Sequence, residues 1–177
     1  QVPTRFVFGR GVENQVGEEV RAQGGTKALI HYGSGSAVRS GLIDRVKKSL
    51  DEAGIAHVEL GGVQPNPRDT LVYRGIELAR SEKVDFILAV GGGSSIDSSK
   101  AIAHGIPYEG DFWDFFCGRA KPKTTTPFGV VLTMAAAGSE SSNSCVITQE
   151  ATKTKRGLRT ELNRPKFAIM NPELAMT

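Results

Sequence analysis

Residues 86–100, FILAVGGGSSIDSSK, pass abruptly from an apolar run into small and polar residues. The run at residues 86–90 is short and unbroken, as in strands that a parallel sheet buries on both faces. The three glycines at residues 91–93, which we call the glycine loop, end this strand. Because glycine has no Cβ, successive N–H groups of the loop have room to surround an anion.

A helix is predicted directly after the glycine loop. Ser94 is placed to cap its N-terminus, Asp97 stands three residues on in a capping-box position, and the helix continues to Ala103. The dipole and free N–H groups of a helix N-terminus favour phosphate, so we predict phosphate binding here; a tight turn without a ligand is the alternative. A Walker P-loop is excluded, because Lys100 lies inside the helix and Ala101 follows it.

The segments before the glycine loop alternate between strand and helix patterns. The predicted order is strand 5–8, helix 13–22, strand 27–32, helix 37–53, strand 58–60, helix 68–82 and strand 86–90. Helix 37–53 places Leu42, Val46 and Leu50 on one face. Such alternation with short loops predicts an α/β fold, a Rossmann-like parallel sheet with helices on both faces. Ligands of such sheets bind beyond the carboxyl ends of the strands.

The pattern is less regular after Gly105. The aromatic cluster at residues 111–116, DFWDFF, predicts a short helix packed against the core, with a base-stacking platform as the alternative. Strands are predicted at residues 128–132, 146–148 and 167–170, which gives a short β-rich C-terminal part. The basic segment at residues 153–166 lies between the last two strands and is interpreted as solvated surface.

Composition favours one ordinary α/β domain over residues 1–177. The 22 Lys and Arg residues against 19 Asp and Glu give a net charge of +3, which does not require nucleic acid, and no nucleic-acid partner is expected. Cys117 and Cys145 lack paired spacing and are expected to be reduced thiols. No apolar stretch approaches the roughly 20 residues of a membrane span, and no signal-peptide pattern opens the sequence. We therefore expect a cytoplasmic location without a membrane partner.

A second glycine-rich turn, Gly33-Ser34-Gly35-Ser36, follows the strand at residues 27–32. It could be a Rossmann turn that holds pyrophosphate, with Glu59 on the ribose of NAD, but Val38 occupies the place of the third glycine. If the glycine loop holds the pyrophosphate, this turn is free for another part of the nucleotide. The turn has no carboxylate, and with Ser34, Ser36 and Arg39 it could accept the 2′-phosphate of NADP.

Three motifs in order resemble the iron-containing, or group III, alcohol dehydrogenases, and in particular their NADPH-dependent butanol dehydrogenase-like branch. The motifs are PNP at residues 65–67, GGGSSIDSSK at 91–100 and TMAAAGSESS at 133–142. The resemblance covers nearly the whole chain as the N-terminal cofactor domain of that family. It implies an oxidoreductase that transfers hydride between NADP(H) and a primary alcohol or aldehyde as the small-molecule substrate. A homodimer is left open.

The resemblance also implies roles for individual residues. Those expected to hold the pyrophosphate, the neighbouring ribose and the nucleotide are Gly92, Gly93, Ser94, Asp97 and Asn66. Those expected to line the adenine and nicotinamide ends are Thr133, Ser142 and Val146, and the one expected to contact a ribose is Lys155.

The same comparison of motifs bears on the choice of cofactor. Family members that prefer NAD tend to carry aspartate at the position of Gly33, so Gly33 with Ser34 and Ser36 implies NADPH. Charge supports this, because a carboxylate would accept ribose hydroxyls but repel a phosphate. Ala137 stands where the family usually has threonine, so that hydroxyl is absent.

The metal of the family, Fe²⁺ or Zn²⁺, is bound by an aspartate and three histidines in a following helical domain, which the resemblance implies to be absent from this chain. His31, His57 and His104 have no spacing typical of a metal site, and each is interpreted as an ordinary surface or core histidine. In the whole protein the metal would polarise the substrate oxygen as a Lewis acid. Because the domain that binds it is implied to be absent, we expect no catalytic or metal-binding residue in this chain and an inactive fragment.

Two alternative functions stay open from the sequence. One is the first domain of an enzyme similar to glycerol dehydrogenase or dehydroquinate synthase. The other is a non-catalytic nucleotide- or nucleic-acid-binding module that uses the basic segment, in which case duplex binding would depend on salt.

Overall fold

The computed structural model describes residues 4–33, 35–133 and 140–176. The strands are β1 Arg5–Phe8, β2 Lys27–Tyr32, β3 Ala56–Leu60, β4 Phe86–Gly91, β5 Phe128–Leu132, β6 Ser144–Gln149, β7 Thr154–Arg159 and β8 Phe167–Met170. The α-helices are α1 Val16–Ala22, α2 Ser36–Arg39, α3 Leu42–Glu52, α4 Asp69–Ser81, α5 Gly93–Gly105 and α6 Trp113–Phe116. Short 3₁₀ helices span Val12–Gln15, Glu161–Asn163 and Pro172–Met176.

The described strands form a six-stranded parallel sheet in the order β1-β8-β5-β4-β2-β3, with β6 and β7 apart as an antiparallel hairpin. The chain leaves β2 toward β3 on one side and leaves β4 toward β5 on the other. The topological switch point, where sheets of this kind bind ligands, is therefore the crevice between the carboxyl ends of β2 and β4. The predicted Rossmann-like parallel sheet is confirmed.

Alternate residues of β4 face opposite layers of helices. Ile87 and Ala89 belong to a core cluster that includes residues of α4, α5 and α6, whereas Phe86, Leu88 and Val90 pack in a cluster with residues of α1 and α3. All five side chains are fully buried. Each large one contributes about 1.5–3 kcal/mol to folding, which explains why this run is continuously apolar.

Glycines bring α5 unusually close to its neighbour α4. A Cβ on Gly75 would lie 2.3 Å from Cδ1 of Ile102, and a Cβ on Gly105 would lie 2.2 Å from Cδ1 of Ile76. Each glycine thus leaves room for an isoleucine of the facing helix. This packing fixes α5, and with it the end of the glycine loop, against α4.

The prediction of one helix over residues 37–53 is wrong. The segment forms α2 and α3, and the chain breaks between them at Gly41, which has a left-handed φ of 79°. Glycine adopts this conformation at little cost, and the Gly41 N–H donates to the carbonyl of Val38 at 3.0 Å, which closes the first helix. The predicted burial of Leu42, Val46 and Leu50 on one face of α3 is confirmed.

The basic segment contains a strand, β7, which the sequence did not predict. Its residues TKRGLR are mostly exposed and only Leu158 is buried, so they lack the apolar alternation of a half-buried strand. Pairing with β6, in register from Ser144 opposite Arg159 to Gln149 opposite Thr154, supplies its backbone partners. The aromatic helix is confirmed as α6, whose Trp113, Phe115 and Phe116 are buried. None of the described helices is long and apolar enough to cross a membrane.

Candidate functional site

The glycine loop turns the chain from β4 into α5. Gly91 has a φ of 146°, and a Cβ there would lie 2.7 Å from Oγ of Ser95, so the position requires glycine. Gly92 is the N-cap of α5, in an extended conformation, and no side chain caps the helix. The predicted capping box is therefore wrong. Ser94 lies inside the first turn because the glycines allow the helix to begin earlier, and Asp97 bonds elsewhere.

The start of α5 presents backbone donors. Ile96 N–H donates to the carbonyl of Gly92 at 3.1 Å. The N–H groups of Gly93, Ser94 and Ser95 have no acceptor in the part of the chain that the structure describes. These three donors and the positive end of the helix dipole form the elements of an anion-binding site.

A first cavity, of about 260 Å³, lies at the switch point beside these donors. The predicted site residues that line it are Gly33, Ser36, Gly92, Gly93, Ser94 and Thr133. Backbone hydrogen bonds hold its walls: Gly62 N–H donates to the carbonyl of Gly33 at 3.0 Å, and Thr133 N–H donates to that of Gly91 at 3.1 Å. The turn after β2 and the glycine loop therefore face one space.

A second cavity, of about 210 Å³, adjoins the first, and Gly93 and Ser94 line both. The predicted site residues of the second cavity are Asn66, Gly93, Ser94, Asp97, Val146 and Lys155. The two cavities therefore meet at the first turn of α5, and together we call them the groove. The structure thus brings together most residues that the motifs singled out, although the motifs are far apart in sequence.

The PNP turn is attached to the hairpin on one side of the second cavity. Lys155 Nζ donates to Oδ1 of Asn66 at 3.1 Å, and Thr148 N–H donates to the carbonyl of Pro67 at 2.9 Å. Asn66 has a positive φ of 57°, which asparagine tolerates better than most residues. The amide group of Asn66 and the ammonium group of Lys155 are thereby held together at one wall of the second cavity.

Asp97 supplies the carboxylate of the second cavity. Its Oδ2 accepts the N–H of Val146 at 3.2 Å, and burial raises the pKa of the carboxyl group to about 6, against the opposing effect of Lys100. Asp97 is therefore mostly ionised at neutral pH. The buried thiol of Cys145 lies 3.2 Å from the carbonyl of Asp97, and burial raises the pKa of that thiol, so it stays protonated and unreactive.

Lys100, which lies outside the lining of both cavities, is a buried residue whose contacts the sequence did not predict. Its Nζ donates to the carbonyl oxygens of Ser142 at 3.1 Å and Ser144 at 2.9 Å, which joins α5 to β6. Burial lowers the pKa of this ammonium group, with Asp97 opposing the shift. The position of Lys100 three residues after Asp97, on the same side of a helix, is the signal that could have identified it.

Some predicted residues stand apart from the groove. Ser142 lies outside the lining of both cavities, and its Oγ accepts the N–H of Ser144 at 3.0 Å, so its role stays a prediction. Ser34 and the segment at residues 134–139, which includes Ala137, lie outside the described residues.

Among the described residues, no metal site accompanies the groove. Within residues 4–33, 35–133 and 140–176, no three or more His, Cys, Asp or Glu side chains are grouped so that they could hold a metal ion. Each histidine has another partner: His31 contacts Ser98, His57 contacts Asp51, and His104 contacts Asn163. The described residues therefore do not fit the metal of the family that the motifs resemble.

Comparison with known proteins gives consistent matches. The family model described as iron-containing alcohol dehydrogenase matches residues 3–172. The chain is 47% identical over 170 residues to a probable NADH-dependent butanol dehydrogenase 1 of Bacillus subtilis, covering 96% of this chain and 44% of that protein. It is 36% identical over 178 residues to an NADPH-dependent aldehyde reductase of Escherichia coli, covering 99% of this chain and 45% of that protein.

A solved structure matches as well. The crystal structure of an NADH-dependent butanol dehydrogenase A from Thermotoga maritima superposes with a TM-score of 0.97 at 44% identity, covering 100% of this chain and 44% of that chain. The chain thus spans slightly less than half the length of the curated relatives it matches.

Proposed function

Because the chain belongs to the iron-containing alcohol dehydrogenase family, we propose that residues 1–177 are the dinucleotide-binding domain of a metal-dependent alcohol dehydrogenase or aldehyde reductase. The whole protein would transfer hydride between NADP(H) and a primary alcohol or aldehyde, the substrate class that the names of its relatives support. The observation that carries the proposal is the set of free N–H groups at the start of α5, which open into a groove at the switch point.

The pyrophosphate would lie against the glycine loop and the first turn of α5. Three N–H donors converge there, from Gly93, Ser94 and Ser95. Hydrogen bonds to a charged group contribute roughly 1.5–3 kcal/mol each, and the helix dipole adds about 0.3–1 kcal/mol. The lack of a Cβ at Gly91 and Gly92 allows close approach of the phosphate oxygens to the backbone.

The two cavities would take the two halves of the dinucleotide. The second cavity offers donors from Lys155 and Asn66 and an acceptor in Asp97, whose Oδ1 accepts no hydrogen bond from the described residues. A ribose presents hydroxyls that can both donate and accept, which suits this combination. Thr133 and Gly33, on the first cavity, would face the other half.

The cofactor would be NADP(H). The turn after β2 has no carboxylate, and a Cβ on Gly35 would lie 3.0 Å from Nη1 of Arg39, so a guanidinium group borders the turn. Arginine is well suited to bind a phosphate in a bidentate manner. NAD(H) is the second candidate, favoured by the names of the Bacillus subtilis and Thermotoga maritima proteins.

The metal, Fe²⁺ or Zn²⁺, is proposed for the whole protein on family membership. Its ligands would lie outside the described residues, so no residue described above is given a role toward it. We expect this chain to bind dinucleotide without catalysing hydride transfer. A cytoplasmic location stays a prediction.

Ser94 provides the test, because it lines both cavities and is partly exposed. Ser94→Glu places a negative charge beside the pyrophosphate, while Ser94→Gln is its neutral match in size and helix propensity. By isothermal titration calorimetry we expect Ser94→Glu to weaken NADPH binding roughly tenfold or more, and Ser94→Gln to weaken it about threefold or less. Equal binding by the two variants would show that no phosphate lies at the start of α5, and the proposal would fail.

A further inference from the structure

An apolar cavity of about 450 Å³ lies at the far end of α5 from the glycine loop. Pro107, Tyr108, Phe115 and Ala120 line it together with Lys121, Lys123 and Thr124. Helix α5 ends at Gly105, two residues before this lining begins, and its 13 residues span about 20 Å. The cavity, which we call the aromatic cavity, is therefore separate from the dinucleotide groove.

Fixed rings form one wall of the aromatic cavity. Tyr108 and Phe115 have ring centroids 4.4 Å apart at an interplanar angle of 43°, and Phe115 is buried. Tyr108 OH donates to Oδ2 of Asp114 at 3.0 Å, and Arg80 Nη2 donates to the carbonyl of Tyr108 at 2.6 Å. These bonds hold the rings in place, so the cavity exists before any ligand arrives.

The loop that completes the lining of the aromatic cavity is basic. Lys121 and Lys123 are exposed, flank Pro122, and form no ion pair within the part of the chain that is described. The nearest acid in sequence, Asp114, already accepts from Tyr108 and lies 3.5 Å from Nη1 of Arg119. The two ammonium groups are therefore free to pair with an anion beside an aromatic wall.

We propose that the aromatic cavity binds a small planar aromatic anion, such as an arene carboxylate or sulfonate. The ring packs against Tyr108 and Phe115 in an offset or edge-on arrangement, and the anionic group pairs with Lys121 and Lys123. The volume falls in the range of about 300–1,000 Å³ that is usual for small-molecule sites. This site is independent of the dinucleotide groove, so the result of its test does not decide whether the proposed function is correct.

The test uses naphthalene-2-sulfonate as probe, measured by isothermal titration calorimetry with and without NADPH. We expect saturable binding that NADPH leaves unchanged. In Lys121→Ala/Lys123→Ala the probe should bind roughly three- to tenfold more weakly, because exposed charge pairs contribute modestly. The control Lys48→Ala/Lys166→Ala removes the same charge from exposed lysines elsewhere and should bind as the wild type does.

A second variant keeps the proposal falsifiable. Thr124 lines the aromatic cavity and is exposed, so Thr124→Trp should obstruct the cavity and abolish probe binding without loss of fold. Displacement of the probe by NADPH, equal weakening in the control, or undiminished binding to Thr124→Trp would each overturn the proposal. Loss of probe binding when the chain self-associates would also overturn the proposal. Loss of probe binding in a polypeptide extended to the length of its relatives would do the same, because in either case protein would fill the cavity.

Discussion

His31 Nε2 lies 2.7 Å from Oγ of Ser98, so strand β2 is hydrogen-bonded directly to the helix that follows the glycine loop. The other ring nitrogen, Nδ1, lies 2.7 Å from the carbonyl oxygen of Leu60 on β3. A carbonyl only accepts, so Nδ1 carries the proton and Nε2 accepts from the serine hydroxyl. The neutral ring thus forms a hydrogen bond with each of its two partners, the carbonyl of Leu60 and the hydroxyl of Ser98. Burial lowers the pKa of His31 to about 4.

This pair predicts an acid-sensitive fold. The pKa of His31 is about 6.5 in the unfolded chain and about 4 in the folded protein. Between these two pH values the unfolded chain binds a proton that the folded protein does not, so the free energy of unfolding falls as the pH drops through this interval. The loss approaches about 3 kcal/mol when complete. Urea unfolding near pH 7 and near pH 4.5 should show it, and His31→Gln should reduce the difference.

Asp97 acts in the opposite direction over part of the same interval. Its folded pKa of about 6 lies above its ordinary value, so its contribution to stability is lost as pH rises through about 6. The difference between wild type and His31→Gln separates the two groups. An identical pH dependence in both proteins would show that His31 does not titrate on unfolding.

The choice of cofactor can be tested at Gly33. A Cβ there would lie 3.5 Å from the carbonyl oxygen of Val63, an ordinary contact, so the position has room for a side chain to begin. Gly33→Asp should weaken NADPH binding by roughly tenfold or more and leave NADH binding intact, because the carboxylate repels only the 2′-phosphate. Gly33→Asn is the neutral control. The NADP assignment would be refuted if the wild type bound both cofactors equally and Gly33→Asp left both affinities unchanged.

Lys155 should contribute charge to dinucleotide binding. Its Nζ lies 3.1 Å from Oδ1 of Asn66 at the second cavity. We expect Lys155→Met to weaken NADPH binding roughly three- to thirtyfold and to flatten its salt dependence, since salt partly screens the attraction between an exposed ammonium group and the negatively charged dinucleotide. Lys166→Met, on the same basic segment but outside both cavities, should have no effect. Similar losses in the two variants would point to general electrostatic attraction instead.

Two glycines with close neighbours should differ in their tolerance of alanine. A Cβ on Gly17 would lie 2.1 Å from the backbone carbonyl oxygen of Ser49, whereas one on Gly75 would meet the terminal Cδ1 of Ile102. A side-chain end can rotate away and a helix backbone cannot. Chemical denaturation should therefore show a loss of about 1–3 kcal/mol for Gly75→Ala and a larger one for Gly17→Ala. The reverse order would mean that α1 moves away from α3 more easily than α4 repacks on α5.

The sequence predicted the sheet well because its strands carry strong local patterns. The strands at residues 5–8, 27–32, 128–132 and 167–170 have the predicted bounds, since in most of them buried apolar runs are closed by glycine, proline or polar residues. The family resemblance rested on motifs that recur for a physical reason, a backbone that must approach a ligand closely. The PNP turn, the glycine loop and Thr133 meet at the switch point, as the parallel topology requires.

The features that the sequence missed depend on contacts distant along the chain. Strand β7 exists because β6 pairs with it, and its own residues carry little apolar pattern. Lys100 lies on a helix of mostly small residues, and its partners, the carbonyls of Ser142 and Ser144, lie 42 and 44 residues further along the chain. Ser94 fits a helix cap in sequence, but the preceding glycines start the helix first.

The pairing of β1 with β8 also constrains the order of folding during synthesis. Arg5 pairs with Phe167, and β1 lies at the sheet edge with β8 as its strand neighbour, so β1 finds its partner only after residues 9–166 have been synthesised. Until then the backbone N–H and C=O groups of β1 that bond to β8 are unpaired and available to other chains. During synthesis the sheet is thus most prone to misassociate through β1, and this edge closes only when β8 has been made.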